Sequence, residues 1–209
     1  MHPTQIFARF ATRFSDQPLD AQVAHCAQRA VVDWFASLYP GLGMPAVQVL
    51  EHTLAEDLDR GASRLALGRS ATVRAAALIN GTAAHAAEVD DSFREAMYHP
   101  GAATIAAALA VAQAVHASGP QLLKAVVLGY EVSTRIGMVM GRAHYKHWHN
   151  TGTMGAFGAA AAAGHLLGLN EDAFASALAI AATFTAGLQQ AFRLESMAKP
   201  LHAGRAADA

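Results

Sequence analysis

Residues 100–123, 147–170 and 173–192 contain no Asp, Glu, Lys or Arg, each over a length sufficient to cross a membrane. Any fold of this chain must bury these stretches or place them in lipid. Their composition decides between the two. Ala, Gly, Ser and Thr dominate, Leu and Ile are sparse, and His116, Asn150, His165 and the pair Gln189 and Gln190 interrupt them. Such residues insert poorly into a bilayer. Small side chains instead suit helices packed closely inside a water-soluble protein. The expectation is a soluble, cytoplasmic, all-α protein in which residues 1–209 form one large helical bundle.

Charged residues make up 15 % of the chain and hydrophobic ones 53 %, which calls for a large core or a covered partner surface, with a homodimer the simplest case. A net charge of −1 gives no reason to expect nucleic acid. Cys26 is the only cysteine, so the chain has no internal disulfide and points to a reducing compartment. One thiol is also too few for a protein-held iron–sulfur cluster. Near the N-terminus, Ile6, Phe7, Phe10 and Phe14 recur at helical spacing with Arg9 and Arg13 among them. A transit peptide shares that pattern, but an amphipathic first helix explains it without a missing cleavage site.

Helix signals recur along the chain. Asp20 caps a helix to about Leu38, with Val23, Ala27, Val31 and Trp34 on one face and Pro40–Gly41 as its stop. Pro45 starts a second helix. Residues 59–70, with Gly61 and Gly68, are the one plausible extended piece. Ser70 is placed as the cap of a helix over residues 71 to about 88, followed by a polar loop from Asp90 to Gly101. Further helices are expected over 102–116, from Pro120 onward, and over 151–167 and 170–187, with a second polar loop over 142–150. Pro200 opens a last helix that the chain leaves without a stop signal, so it reads as cut short.

Four segments concentrate ionisable groups. In His85-Ala86-Ala87-Glu88-Val89-Asp90-Asp91-Ser92, His85 and Glu88 lie three apart and would share a helix face, with a solvated helix end as the plain alternative. His99 precedes Pro100 at the mouth of a helix, where free N–H groups favour an anion. Arg142, His144, Lys146, His147 and His149 lead into Thr151 and a Gly-rich helix start, with no acid among them. That suits a multi-carboxylate ligand with a histidine to move protons. Zinc on His144, His147 and His149 is the rival, disfavoured by the positive field of Arg142 and Lys146. Finally, Lys199, His202 and Arg205 fall near one face of the last helix, with a solvated basic face as the alternative.

Taken in order, Asn80-Gly81-Thr82-Ala83-Ala84-His85 with Glu88 to Ser92, then His99-Pro100, then Trp148 to Thr153, then Met197 to Arg205, resemble the MmgE/PrpD family. That family includes 2-methylcitrate dehydratase, cis-aconitate decarboxylase and an iminodisuccinate epimerase. The resemblance implies the family's large helical domain and a metal-free, cofactor-free lyase or isomerase, most simply a hydro-lyase of the 2-methylcitrate dehydratase type working next to a carboxylate. It implies acid–base or positioning roles for Glu88 and His149, and carboxylate binding for Ser92, His99 and Lys199. The expected catalytic set is therefore Glu88, His99, His149 and Lys199, and the expected substrate-binding set is Ser92, Lys146, Thr151, His202 and Arg205. The family usually has Asp at Glu88 and Thr at Ser92, and an α/β domain after the Lys199 motif, which would lie beyond residues 1–209. A non-catalytic helical fragment or oligomerisation domain is the alternative.

Overall fold

The computed structural model describes residues 2–194 and 196–209. Its helices are α1 (Pro3–Ser15), α2 (Ala21–Gly41), α3 (Pro45–Thr53), α4 (Val73–Ala86), α5 (Pro100–Ala114), α6 (Gly119–Tyr145), α7 (Asn150–Leu166), α8 (Glu171–Phe184) and α9 (Ala198–Asp208). The only paired strands among the described residues are β1 (Leu58–Arg64) and β2 (Ser70–Ala71), an antiparallel hairpin in the piece expected to be extended. The all-α expectation holds.

The first two charge-free stretches are where the bundle is thickest; the third, against expectation, lies at the surface, and its helix α8 buries only Phe174, Leu178 and Ala181. Helix α5 packs against α4, α6, α7 and α9, and nearly every residue from Pro100 to Ala112 is buried. A helix surrounded on all sides needs short side chains, because each neighbour must approach its backbone. Ala and Gly supply that, with Ile105 as the bulky exception. Helix α7, which packs on α5, α6, α8 and α9, follows the same rule. No helix among the described residues is long and apolar enough to cross a membrane.

Bulkier residues fill the flanks. Trp34, Leu38, Val47, Leu58, Leu65 and Ile79 join α2, α3, the hairpin and α4. On the other side Leu128, Val132, Phe174 and Leu178 form a second cluster against α1, each such side chain contributing on the order of 1.5–3 kcal/mol. In α1 the buried stripe is Ala8 and Ala11 with partly buried Phe7 and Phe14, while Ile6 and Phe10 stay exposed.

Several boundaries differ from expectation for identifiable reasons. The cap of α4 is Thr72, whose hydroxyl accepts from Ala75 N–H, because Ser70 is taken into β2. Helix α2 runs on through Pro40 to Gly41. At that last turn proline forfeits a single backbone bond. Most of the expected loop 142–150 is helical: α6 breaks only at Gly141, which has φ 55° and ψ −157°, and resumes to Tyr145.

Asn80 shows how the hairpin is tied down. Its amide donates to Arg64 O at 2.9 Å and its carbonyl oxygen accepts from Ala66 N–H at 3.2 Å. A residue that stood out as part of a motif thus serves the fold.

Candidate active site

The C-terminal end of α4 and the N-terminal ends of α5, α7 and α9 meet at one end of the bundle. His85 lies in the last turn of α4, His99 and His149 are the residues just before α5 and α7, and Lys199 and His202 lie in the first turns of α9. Neither His99 nor His149 bonds back to its own helix through its side chain. Asp91 accepts from Gly101 N–H at the start of α5, and Ser196 from Ala198 N–H at the start of α9. Among the described residues no side chain takes the first N–H groups of α7, whose positive end stays turned toward the cluster and favours an anion.

The four imidazoles form a continuous group. Ring centroids are 4.8 Å apart for His85 and His99, 5.3 Å for His85 and His149, and 5.3 Å for His149 and His202. His149 Nδ1 lies 3.1 Å from His202 Nδ1, so one of these nitrogens carries the proton and the other the lone pair. His149 is almost fully buried, and its pKa is pushed down to about 2. Burial is the main cause, with charge on His85, His202, Lys199 and His99 adding to it. The pKa of His202 is lowered likewise, by burial and then by His85. At neutral pH both are neutral imidazoles, able to accept or relay a proton but not serving as fixed cations.

Backbone pairing fixes His149 from outside. Its N–H donates to Gly187 O at 2.8 Å, and Gln189 N–H donates to His147 O at 2.9 Å. These bonds hold residues 187–189 beside the start of α7, although the sequence showed no pairing signal there. Gly187 has φ 115°, and a Cβ on it would sit 3.0 Å from His202 Nδ1 and 3.4 Å from His149 Cβ. A side chain here is strained by conformation as well as by contact.

Lys199 carries the fixed positive charge. Its ammonium is ion-paired with Glu88 and lies 4.7 Å from the centre of the Phe192 ring. Glu88 is half exposed, so water weakens the pair to under about 1 kcal/mol. An incoming carboxylate can therefore exchange with Glu88 at low cost. The pair borders a cavity of about 450 Å³ that Phe192 and Met44 also line.

The expected residues fall into three groups. Glu88, His99, His149, Lys199 and His202 come together as described. Ser92 and Thr151 serve His99: Ser92 Oγ is 3.4 Å from His99 Nδ1, and Thr151 Oγ1 accepts from His99 N–H at 3.2 Å. Arg205 and Lys146 lie apart. Arg205 bonds Asp208 at 3.0 Å and stacks over Phe184, because positions i, i+3 and i+6 drift by about 60° per step and the third has left the face. Lys146 borders a separate cavity of about 700 Å³ with Arg142, His147, Gln189 and Arg193.

His85 and Glu88 do not share a helix face. Helix α4 stops at Ala86, and Glu88 takes φ 55°, turning its side chain toward α9. The neighbouring acids are not a solvated helix end either. Asp90 is buried between His85 and His99. Asp91 accepts from Gly101 N–H at 3.0 Å and from the Tyr130 hydroxyl at 2.8 Å. Burial raises the Asp91 pKa, while these hydrogen bonds oppose the rise.

The trio His144, His147 and His149 does not converge, since His144 Nε2 bonds Thr153 Oγ1 at 3.0 Å while His147 faces the 700 Å³ cavity. Among the described residues, metal-ligand spacing occurs instead at His85, Asp90 and His99, whose ligand-type atoms lie within 4.8 Å of one another. His85 Nδ1 is 2.9 Å from Asp90 Oδ2, a hydrogen-bond separation that already occupies both atoms.

The sequence matches the MmgE/PrpD N-terminal domain over residues 5–209. It is 29 % identical over 206 residues to the cis-aconitate decarboxylase-like protein oryM of Aspergillus oryzae, covering 94 % of this chain and 42 % of that protein. It is 26 % identical to a cis-aconitate decarboxylase of Aspergillus terreus, over 90 % of this chain and 40 % of the relative. With the Homo sapiens cis-aconitate decarboxylase the identity is 37 % over 138 residues, covering 63 % of this chain and 28 % of the relative. The chain thus spans less than half the length of these relatives. With the motifs in order and a helical fold that gathers them at one end, the chain belongs to the MmgE/PrpD family, whose N-terminal domain it carries.

Proposed function

We propose that this domain forms one wall of a lyase active site that acts on a di- or tricarboxylate by moving a proton at a carbon next to a carboxylate. The observation that carries this reading is the placement of one exchangeable ammonium, Lys199, beside four imidazoles at the end of α4 and the starts of α5, α7 and α9. Lys199 exchanges Glu88 for a substrate carboxylate. The charge that develops when a neighbouring carbon loses or awaits a proton spreads onto that carboxylate, where the ammonium and the start of α7 stabilise it. His149, neutral and buried, accepts or returns the proton through its pair with His202. Glu88, released from Lys199, supplies a second acid or base at the rim. No step in this reading calls for a metal.

Two finer readings share these parts. Dehydration of 2-methylcitrate removes the proton and expels hydroxide. Decarboxylation of cis-aconitate breaks the bond to the departing carbon dioxide, shifts its electron pair through the double bond, and ends with proton delivery to the far carbon. The similarity to cis-aconitate decarboxylases and a decarboxylase-like protein favours decarboxylation. Incubation with each substrate, followed by proton NMR, separates an unsaturated tricarboxylate product from an unsaturated dicarboxylate with carbon dioxide.

The binding claim has its own test. At about 100-fold excess over its dissociation constant a tricarboxylate adds roughly 2.7 kcal/mol to stability, which raises the melting temperature by roughly 5–10 °C for a domain of this size. Lys199→Ala and His149→Ala are each expected to remove that rise. If citrate, cis-aconitate and 2-methylcitrate all leave the melting temperature unchanged, the non-catalytic reading replaces this one. A homodimer is the expected assembly, and light scattering checks it.

A further inference from the structure

We propose that Asp90 is a positioning residue, whose carboxylate holds His85 and His99 together in the Nδ1–H tautomer and so leaves the Nε2 lone pair of each ring unbound.

The Asp90 side chain is 1 % exposed, between two rings that come from different elements. Oδ2 lies 2.9 Å from His85 Nδ1, and Oδ1 lies 3.4 Å from His99 Nδ1. No backbone N–H and no Lys or Arg bonds this carboxylate among the described residues. A carboxylate only accepts, and burying one without donors is costly. The His85 Nδ1–H is the donor at hand for Oδ2. Oδ1 is buried without a hydrogen-bond partner among the described residues, and the His99 ring that faces it at 3.4 Å is the donor a small closure would supply.

His85 points to the same arrangement from its other nitrogen. The ring is fully buried, and Nε2 has no hydrogen-bond partner among the described residues. With the proton on Nε2, a buried donor would go unpaired and the Nδ1 lone pair would face Asp90. With the proton on Nδ1, only an acceptor is left over and Asp90 gains a donor. Orphaned acceptors are the better tolerated of the two. For His99, Nδ1 lies also 3.3 Å from Asp90 O and 3.4 Å from Ser92 Oγ, so three oxygens surround this one nitrogen. Thr151 fixes the backbone of the same residue. The geometry resembles the Asp–His pairing in which a buried carboxylate fixes the tautomer of a catalytic imidazole, here with one carboxylate serving two rings.

The functional consequence rests on the reading proposed above: His99, with Nε2 open, is then a preset proton acceptor beside the Lys199 site. The tautomers themselves can be measured without any substrate. In the 209-residue protein with ¹⁵N-labelled histidine, long-range proton–nitrogen NMR distinguishes a nitrogen bearing hydrogen from one bearing a lone pair. His85 and His99 are both expected to show hydrogen on Nδ1 at pH 7.5, and addition of a chelator is expected to leave these signals in place. A lone pair on Nδ1 of either ring, or a spectrum that the chelator changes, overturns the proposal.

Asp90→Asn supplies the second arm. An amide offers one oxygen and one NH2. Where the NH2 faces His85 Nδ1 that ring shifts its proton to Nε2, whereas His99 Nδ1 can still donate to the main-chain carbonyl of residue 90 or to Ser92 Oγ. His85→Gln leaves Asp90 in place, and His99 is expected to keep hydrogen on Nδ1. If Asp90→Asn folds and neither tautomer changes, Asp90 does not set them. Where the tautomers are as proposed but tricarboxylates do not bind, the functional reading fails and the positioning role stands. Where ligands bind and Asp90→Asn weakens the thermal response no more than Gly119→Ala, a control in which the added Cβ meets nothing within 4 Å, the tautomer has no bearing on binding.

Discussion

Gly204→Ala is expected to lower the melting temperature and to abolish stabilisation by tricarboxylates in the same step. Gly204 lies on α9 where that helix crosses α4, and Gly81 of α4 faces it. A Cβ on Gly204 would sit 2.1 Å from Thr82 Oγ1 and 2.2 Å from Leu78 O. The Thr82 hydroxyl donates to that same Leu78 carbonyl at 2.8 Å, so neither atom turns aside freely. Helix α9 must back away by roughly 1 Å to restore ordinary contact. Overpacking of this kind costs about 1–3 kcal/mol, against the roughly 1 kcal/mol that Ala gains over Gly inside a helix. The clash wins because the opposing atoms belong to the α4 backbone and a bonded hydroxyl. Lys199 and His202 ride on α9 while His85 and Glu88 depend on α4, and a shift of about 1 Å between binding groups is enough to spoil a placed site. Gly119→Ala, where a Cβ meets nothing within 4 Å, is the control and should leave both readings unchanged. A Gly204→Ala protein that melts lower yet keeps its full ligand response would separate the α4–α9 crossing from the site.

That crossing also shows what could be read from the sequence. The charge-free, Ala- and Gly-rich stretches announce helices buried on all sides; α5 and α7 are such helices, whereas α8 in the third stretch buries one face only. The motif positions announce the site, because histidine, lysine and acid in an otherwise apolar chain need a reason to be there. Which motif residues do chemistry was not legible. Asn80 and Asn150 belong to the motifs yet serve the fold: Asn80 holds the hairpin, and Asn150 donates to Ala96 O at 2.7 Å. Arg205 looks like a ligand for an anion and is taken up by Asp208.

The reverse error concerns His85, Asp90 and Phe192. His85 and Asp90 stand five residues apart, and nothing in their spacing says that α4 stops at Ala86 and that the chain folds back to bring them within 2.9 Å. That geometry follows from the positive φ at Glu88, a residue type rarely found there and carrying no local signal for it. Phe192 closes a small-residue stretch in the sequence, and only the tertiary fold brings its ring under Lys199 and 4.6 Å from His149.

Acidification is expected to destabilise the protein steeply, with His149 as the largest single contributor. An unfolded chain protonates this histidine near pH 6.5, whereas the folded protein resists until about pH 2. Because the folded pKa is the lower one, the stabilising contribution is complete above pH 6.5 and is lost progressively as pH falls toward 2. The slope for one such group is about 1.4 kcal/mol per pH unit, so between pH 6.5 and 4 the loss is on the order of 3 kcal/mol. The opposition comes from every side: His85 on α4, His99 before α5, and His202 with Lys199 on α9 all face the ring as potential or actual cations. His202, His144 and His165 also have lowered pKa values, mainly through burial, and act in the same direction over narrower ranges. Asp91 acts oppositely, since its raised pKa means that acid relieves a cost borne at neutral pH. Chemical denaturation at pH 7, 6, 5 and 4 measures the balance. His149→Asn is expected to reduce the slope below pH 6 by about 1.4 kcal/mol per unit, the share of one proton. Parallel curves for the two proteins would mean that His149 is not held neutral by the fold.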